Sequence, residues 1–205
     1  AVDSDLNVRY QAAFSLGEIN SPAATAALAR IVVRDGSDSW MRMAVLSSAG
    51  KDAASLFQHL AGNEKFRVSS NGQSFLSTLA RQIGTDGRDS EVGVVLRSLT
   101  GLTDSLRKKL ITALVAKQKG AARDRILSAA SGDASMVLKK IISDASRRAV
   151  DQAATVASRT DAIRSLQLAS FGDARPLLAR LLDPAEAPPI QVAALETTAQ
   201  VTDPK

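Results

Sequence analysis

The stretch Val8-Arg9-Tyr10-Gln11-Ala12-Ala13-Phe14-Ser15-Leu16-Gly17 decides the fold. Its apolar or small residues at 8, 12, 13 and 16 fall on one helical face, and Gly17 is placed to stop the helix. Shifted by 33 residues, it lands on Met41-Arg42-Met43-Ala44-Val45-Leu46-Ser47-Ser48-Ala49-Gly50, Arg on Arg and Gly on Gly. A further 34 brings Phe75, Leu79, Ala80, Ile83 and Gly84 to the same roles, with Leu76 where the Arg would stand. Another 31 gives Leu106-Arg107, Leu110, Ile111 and Leu114. Later, Ile163-Arg164, Gln167-Leu168, Phe171 and Gly172 restore the pattern, and Ile190, Ala194 and Leu195 open a last partial copy. A second amphipathic stretch follows each complete copy, at 22–33, 53–60, 91–99, 123–130 and 174–182. The unit is a helix, a turn and a helix in 31 to 34 residues. Neither helix of such a pair can bury its apolar stripe alone, whereas stacking the pairs builds a continuous core. The expectation is an all-α chain, an α-α superhelix of five to six helix pairs, with 1–205 as a single repeat domain.

Local signals agree with the period. Pro22 stands at a first helical position behind Ser21 as N-cap, and Asp3, Asp5 and Asp38 precede first helices, where the helix dipole favours a carboxylate. The pieces 35–39, 69–73 and 84–90, rich in Gly, Ser and Asp, read as turns between repeats. The register fails between Leu106 and Ile163, whose spacing of 57 fits neither one unit nor two. Ser135 to Ser158 holds no Gly or Pro and is expected to form one long helix, or two abutting ones bent near Asp144.

Composition narrows the class further. Of the 205 residues 45% are hydrophobic, dominated by Ala and Leu, and only 3% are aromatic, which suits close helix packing better than a sheet. The net charge of +5 fits nucleic acid, anionic lipid or an acidic protein about equally. With no cysteine there is no disulfide, thiolate metal site or haem attachment in these residues. No apolar run reaches the ~20 residues that span a bilayer. The chain opens at Ala1 without an initiator Met and stops at Lys205 just after a helical pattern, as expected of a fragment of a larger multidomain protein.

The pattern Asp-x-x-Val-Arg-x-x-Ala-x-x-x-Leu-Gly from Asp5 to Gly17 resembles the HEAT and HEAT-like repeat families. The runs Asn7–Glu18, Trp40–Ala49 and Asp161–Gly172, with Leu181-Leu-Asp-Pro184 and Gln191–Leu195, look like the helical-repeat region of large secreted dehydrogenase-like proteins of planctomycete type. In those proteins the helical segment lies between a β-propeller and a c-type haem domain. The resemblance implies a spacer or docking arm, periplasmic or extracytoplasmic, whose partners are neighbouring domains or subunits. Neither the catalytic nor the haem part of that family falls in this chain, so no functional residue carries over.

The residues that could carry chemistry have plainer roles. His59 is the sole histidine and flanks Leu56, Phe57 and Leu60, the place of a structural residue. Gly50-Lys51-Asp52 lacks the spacing of a phosphate loop, and the Ser-x-x-Lys matches at 48 and 105 have no companion motif. No enzyme activity, cofactor or metal site is expected in this segment. An enzyme built on the solenoid would rest only on the precedent of HEAT-like glycosylases and lyases.

One feature stands above background. From Arg107 to Arg148 there are eleven bases against three acids, Asp124, Asp133 and Asp144. Lys108, Lys109, Lys119, Arg123, Lys139, Lys140, Arg147 and Arg148 form a candidate interaction ridge, with Lys117 and Arg125 nearby. Two readings follow: a non-catalytic scaffold linking domains of a dehydrogenase-like protein, or a nucleic-acid-binding HEAT-like protein that grips phosphates along 107–148, as similar glycosylases do. That stretch has no aromatic residue for base stacking. Trp40 and Tyr10, at or beside helix starts, are expected to pack. Arg9, Arg42, Arg107 and Arg164 recur at matching positions and are expected to bridge neighbouring units, so Arg9→Ala should lower stability; an unchanged melting curve would count against that role.

Overall fold

The computed structural model describes residues 3–86, 88–116, 118 and 120–201, apart from the side chains of 51, 120, 121 and 133. Every regular element among them is helical. Two compact units divide the chain, residues 1–114 and 115–205.

The first unit holds α1 (Leu6–Gly17), α2 (Pro22–Asp35), α3 (Ser39–Ala49), α4 (Ala53–Gly62), α5 (Glu64–Val68), α6 (Ser70–Asp86), α7 (Asp89–Arg97) and α8 (Asp104–Val115), whose last residue crosses the boundary. The starts follow capping chemistry. Asp5 accepts from the amide of Asn7, Ser21 from that of Ala24 and Asp38 from that of Met41, satisfying donors a helix leaves open. First helices pack on first helices, α1 on α3, while α4 lies between α2 and α7. Phe57, Phe75, Leu56, Leu60, Leu79, Ile31 and Ile83 fill the core between the layers. Each such side chain, fully withdrawn from water, contributes about 2 kcal/mol. On α1 only Ala13 of the expected stripe is buried; Val8 stays 48% exposed, and Ala12 and Leu16 are half-buried.

The segment 69–73, expected to be a turn, begins a helix. Asn63 caps a short α5 that the periodicity did not reveal, and the Ser69 hydroxyl donates to the Phe66 carbonyl while accepting from the Gly72 amide. Gly72 allows that junction, since a Cβ there would sit 1.8 Å from the Phe66 carbonyl oxygen. Gly84 is not a stop either. It lies inside α6, where a Cβ would meet the Leu114 carbonyl oxygen at 1.8 Å. The absence of a side chain serves close approach there, not termination.

The second unit holds α9 (Gly120–Ser128), α10 (Gly132–Ala149), α11 (Val156–Ser165), a 3-10 turn at Leu166–Leu168, α12 (Phe171–Arg180) and α13 (Pro188–Val201). Helix α11 packs between α10 and α13 around Ala149, Ile163, Leu166, Leu181, Ile190, Ala193 and Ala194. Ser135–Ser158 is neither continuous nor bent at Asp144. Helix α10 passes through Asp144 to Ala149, the Asp151 carboxylate turns the chain by accepting from the Ala153 amide, and Thr155 caps α11. Short polar side chains stop this helix without Gly or Pro. Phe171 and Gly172, expected at the end of a first helix, instead open α12 behind Ser170, which accepts from the Asp173 amide and donates to its carboxylate.

Candidate functional site

The recurring arginines serve the scaffold, in a register only partly legible from the period. Arg9, Arg42, Arg67, Arg107 and Arg159 each stand four residues after a capping side chain, respectively Asp5, Asp38, Asn63, Thr103 and Thr155. Helical side chains lean toward the N-terminus, so an arginine at that position reaches back past the start of its own helix. Each guanidinium donates to upstream carbonyls: Arg9 to Asp3 and Ser4, Arg42 to Gly36 and Ser37, Arg67 to Ala61, Arg107 to Leu99, Arg159 to Ala149. Arg9 also forks onto Asp35, at 2.7 and 2.8 Å, and Arg159 reaches Glu186 at 2.8 Å. The expected Arg164 does not belong to this set. It is exposed and pairs with Asp161 and Glu196, while Arg159 fills the role. Likewise the missing arginine of the third copy is Arg67, on the short helix before the one that carries Leu76. A cap residue followed four later by Arg is the signal that finds all five.

These bonds set the carboxylates. The hydrogen bond from Arg9 holds Asp35 below the ordinary carboxylate range, and that from Arg159 does the same for Glu186, so the stability they lend is present above that range and fades as pH falls through the depressed values. Glu91, 8% exposed, goes the other way. Burial pushes its carboxyl up and Arg88, whose Nη2 lies 2.9 Å from Glu91 Oε2, only partly offsets this, while Arg88 Nε is left without a hydrogen bond. The folded state therefore holds that proton more tightly than the unfolded chain, and this contribution is complete at acid pH and lost as pH rises through the raised value. Glu91→Gln should leave the neutral-pH urea midpoint equal or higher and flatten its decline with rising pH. A lower midpoint would show that the ion pair outweighs the desolvation.

Of the candidate ridge, one residue is misplaced. Arg123 is 1% exposed, its guanidinium bonded to Asp124 and to the Gln200 carbonyl, so it is a buried anchor and not a surface base. The basic run in sequence missed this because Ile126 and its neighbours turn that face of α9 inward. Lys119, with Lys117, lies outside the described residues. In the first unit Lys108 is half-buried and Lys109 exposed on α8. In the second, Lys139, Lys140, Arg147 and Arg148 are exposed on α10, with Met136 beside them and Arg147 paired to Asp144 at 2.6 Å. Trp40 is not a packing residue: it is 65% exposed, and Met43 one turn on is 60% exposed. Tyr10 is half-buried and stacks edge-on against Phe14.

Two grooves flank α4. One, of about 310 Å3, runs between α2 and α4, with Ala26, Ala29, Val33 and Leu60 as its floor and Arg30, Arg34 and His59 on its walls. The other, of about 390 Å3, lies on the far side of α4, bounded by Gln58, Arg67, Val94, Arg97 and Leu102. No family model, curated protein or solved structure matches the chain. Among the described residues no group of three or more His, Asp or Glu could hold a metal ion, and no helix is long and apolar enough to cross a membrane. His59 is exposed, its Nδ1 2.9 Å from the Ser55 carbonyl; a carbonyl only accepts, so Nδ1 carries the proton in that contact.

Proposed function

We propose that this chain is a non-catalytic HEAT-type scaffold whose helix pairs stack as a superhelical solenoid and present helix faces to protein partners. The observation that carries the reading is the cap-and-arginine device at five helix starts. It reads as one structural unit repeated, and repetition of a unit yields rows of equivalent exposed faces. The buried arginines are occupied in building that unit. From the resemblance of its repeats, the parent is a larger, extracytoplasmic dehydrogenase-like protein in which this segment spaces or docks domains.

The test is site-specific photo-crosslinking in the source cells, with the reactive group placed in turn at Arg30, Trp40 and Lys139, on three different helices. A discrete protein adduct from at least one position is the expected result; adducts to nucleic acid alone, or none, would reject the reading. The second reading, nucleic-acid binding, is favoured by the exposed Lys139, Lys140, Arg147 and Arg148 of α10. It requires affinity for duplex DNA or RNA that falls steeply with salt and is weakened by Lys139→Glu.

A further inference from the structure

The two grooves flanking α4 share a charge pattern that the scaffold alone does not need. Helices α2 and α4 carry a single carboxylate between them, Asp35, and Arg9 occupies it. Lining the grooves are Arg30, Arg34 and His59 on one side of α4, and on the other the exposed Arg97 beside the half-buried Arg67, which donates to the Ala61 carbonyl. Cations in a last helical turn offset the helix dipole, and Arg34, His59 and Arg97 could be explained so. Arg30 could not: it sits mid-helix, exposed, with no ion pair among the described residues, whereas Arg34 lies beside Asp35 at the end of its helix and donates to the Asp3 carbonyl. On α7, Glu91 is buried against Arg88, and Asp89 lies in the first turn, at the opposite end from Arg97. Glu64 is the one acid of residues 58–68 and has Lys65 beside it. The floor of the first groove is apolar.

Neighbouring helices pack with axes roughly 8–10 Å apart. An extended peptide in the polyproline II conformation rises about 3.1 Å per residue with three residues per turn, so every third residue returns to the same face about 9 Å further on and meets the next groove. We propose that the face of α2, α4 and α7 binds an extended acidic segment of a partner protein. Carboxylates three residues apart meet Arg30 and Arg97 in turn, and an apolar side chain rests on Ala29, Val33 and Leu60. This rests on the scaffold reading and names the partner's chemistry.

The probe is a fluorescent peptide of repeated Glu-Leu-Ser triplets, about a dozen residues long, followed by anisotropy on the full chain. Saturable binding that weakens from about 50 to about 300 mM salt is expected. Arg30→Glu and Arg97→Glu should each weaken it about tenfold, with Lys139→Glu, on α10, leaving it unchanged. A peptide of the same composition with its glutamates five residues apart should bind more weakly, a comparison that needs no variant to fold. No binding, equal binding of both peptides, wild-type affinity in Arg30→Glu and Arg97→Glu, or an equal loss from Lys139→Glu would each overturn the proposal. A protein crosslink from Trp40 or Lys139 together with any of those results would leave the scaffold reading intact and remove only this inference.

Discussion

Gly84→Ala should destabilise the first unit by about 3 kcal/mol, against the usual gain from replacing a helical glycine. The added methyl carbon would stand 1.8 Å from the Leu114 carbonyl oxygen and 2.7 Å from its carbon. Both are backbone atoms, so no rotamer change relieves the overlap, and α6 and α8 must move apart where Ile83 and Leu114 are fully buried. Gly93→Ala is the internal control. Its nearest neighbour is the end of the flexible Arg97 side chain at 3.1 Å, so helix propensity decides, and a gain of up to about 1 kcal/mol is expected. Urea unfolding of both variants beside the parent checks the pair. Equal midpoints for the two would mean that the helices yield at no cost and that Gly84 does not fix their separation.

Arg159→Ala should cost the second unit about 3 kcal/mol as well, through charge and not through volume. The guanidinium is 4% exposed and donates to the Ala149 carbonyl at 2.9 Å, to Gln152 Oε1 at 3.1 Å and to Glu186 Oε1 at 2.8 Å. Truncation leaves the largely buried Glu186 carboxylate without its cation and the end of α10 without a donor. Arg159→Lys should lose part of this, since an ammonium cannot serve three acceptors set out for a planar fork. In the Glu186→Gln background Arg159→Ala should cost less, because no stranded charge remains. The loss should also shrink at acid pH as Glu186 takes up a proton. A cost below about 1 kcal/mol, with no dependence on Glu186, would place Arg159 among ordinary surface pairs.

The helices were legible because their signals are local. Ser21 before Pro22, and Asp5 and Asp38 before apolar periods, mark starts that the structure keeps, and the second helices at 22–33 and 53–60 begin where the pattern puts them. What failed depended on neighbours distant in sequence. Gly84 has the composition of a stop but the function of a contact, which only Leu114 reveals. Arg164 aligned with Arg9 by apolar period, yet Arg159 does its work, because the capping residue and not the stripe sets where a guanidinium can reach. Arg123 was misplaced on the ridge for a similar reason. A run of bases in sequence says nothing of which ones face inward, and Arg123 does. The grooves beside α4 draw on residues from 26 to 102, each unremarkable in its own segment.

The exposed Trp40 is the only tryptophan in the chain, and it stands on α3 in the first unit. Its indole emits from water in the folded state, so intrinsic fluorescence changes little on unfolding, and unfolding curves for either unit must be read from the helical signal in circular dichroism. The same placement makes it a local optical sensor. A blue shift on adding a partner would report that the α3 face is being covered, with no label attached.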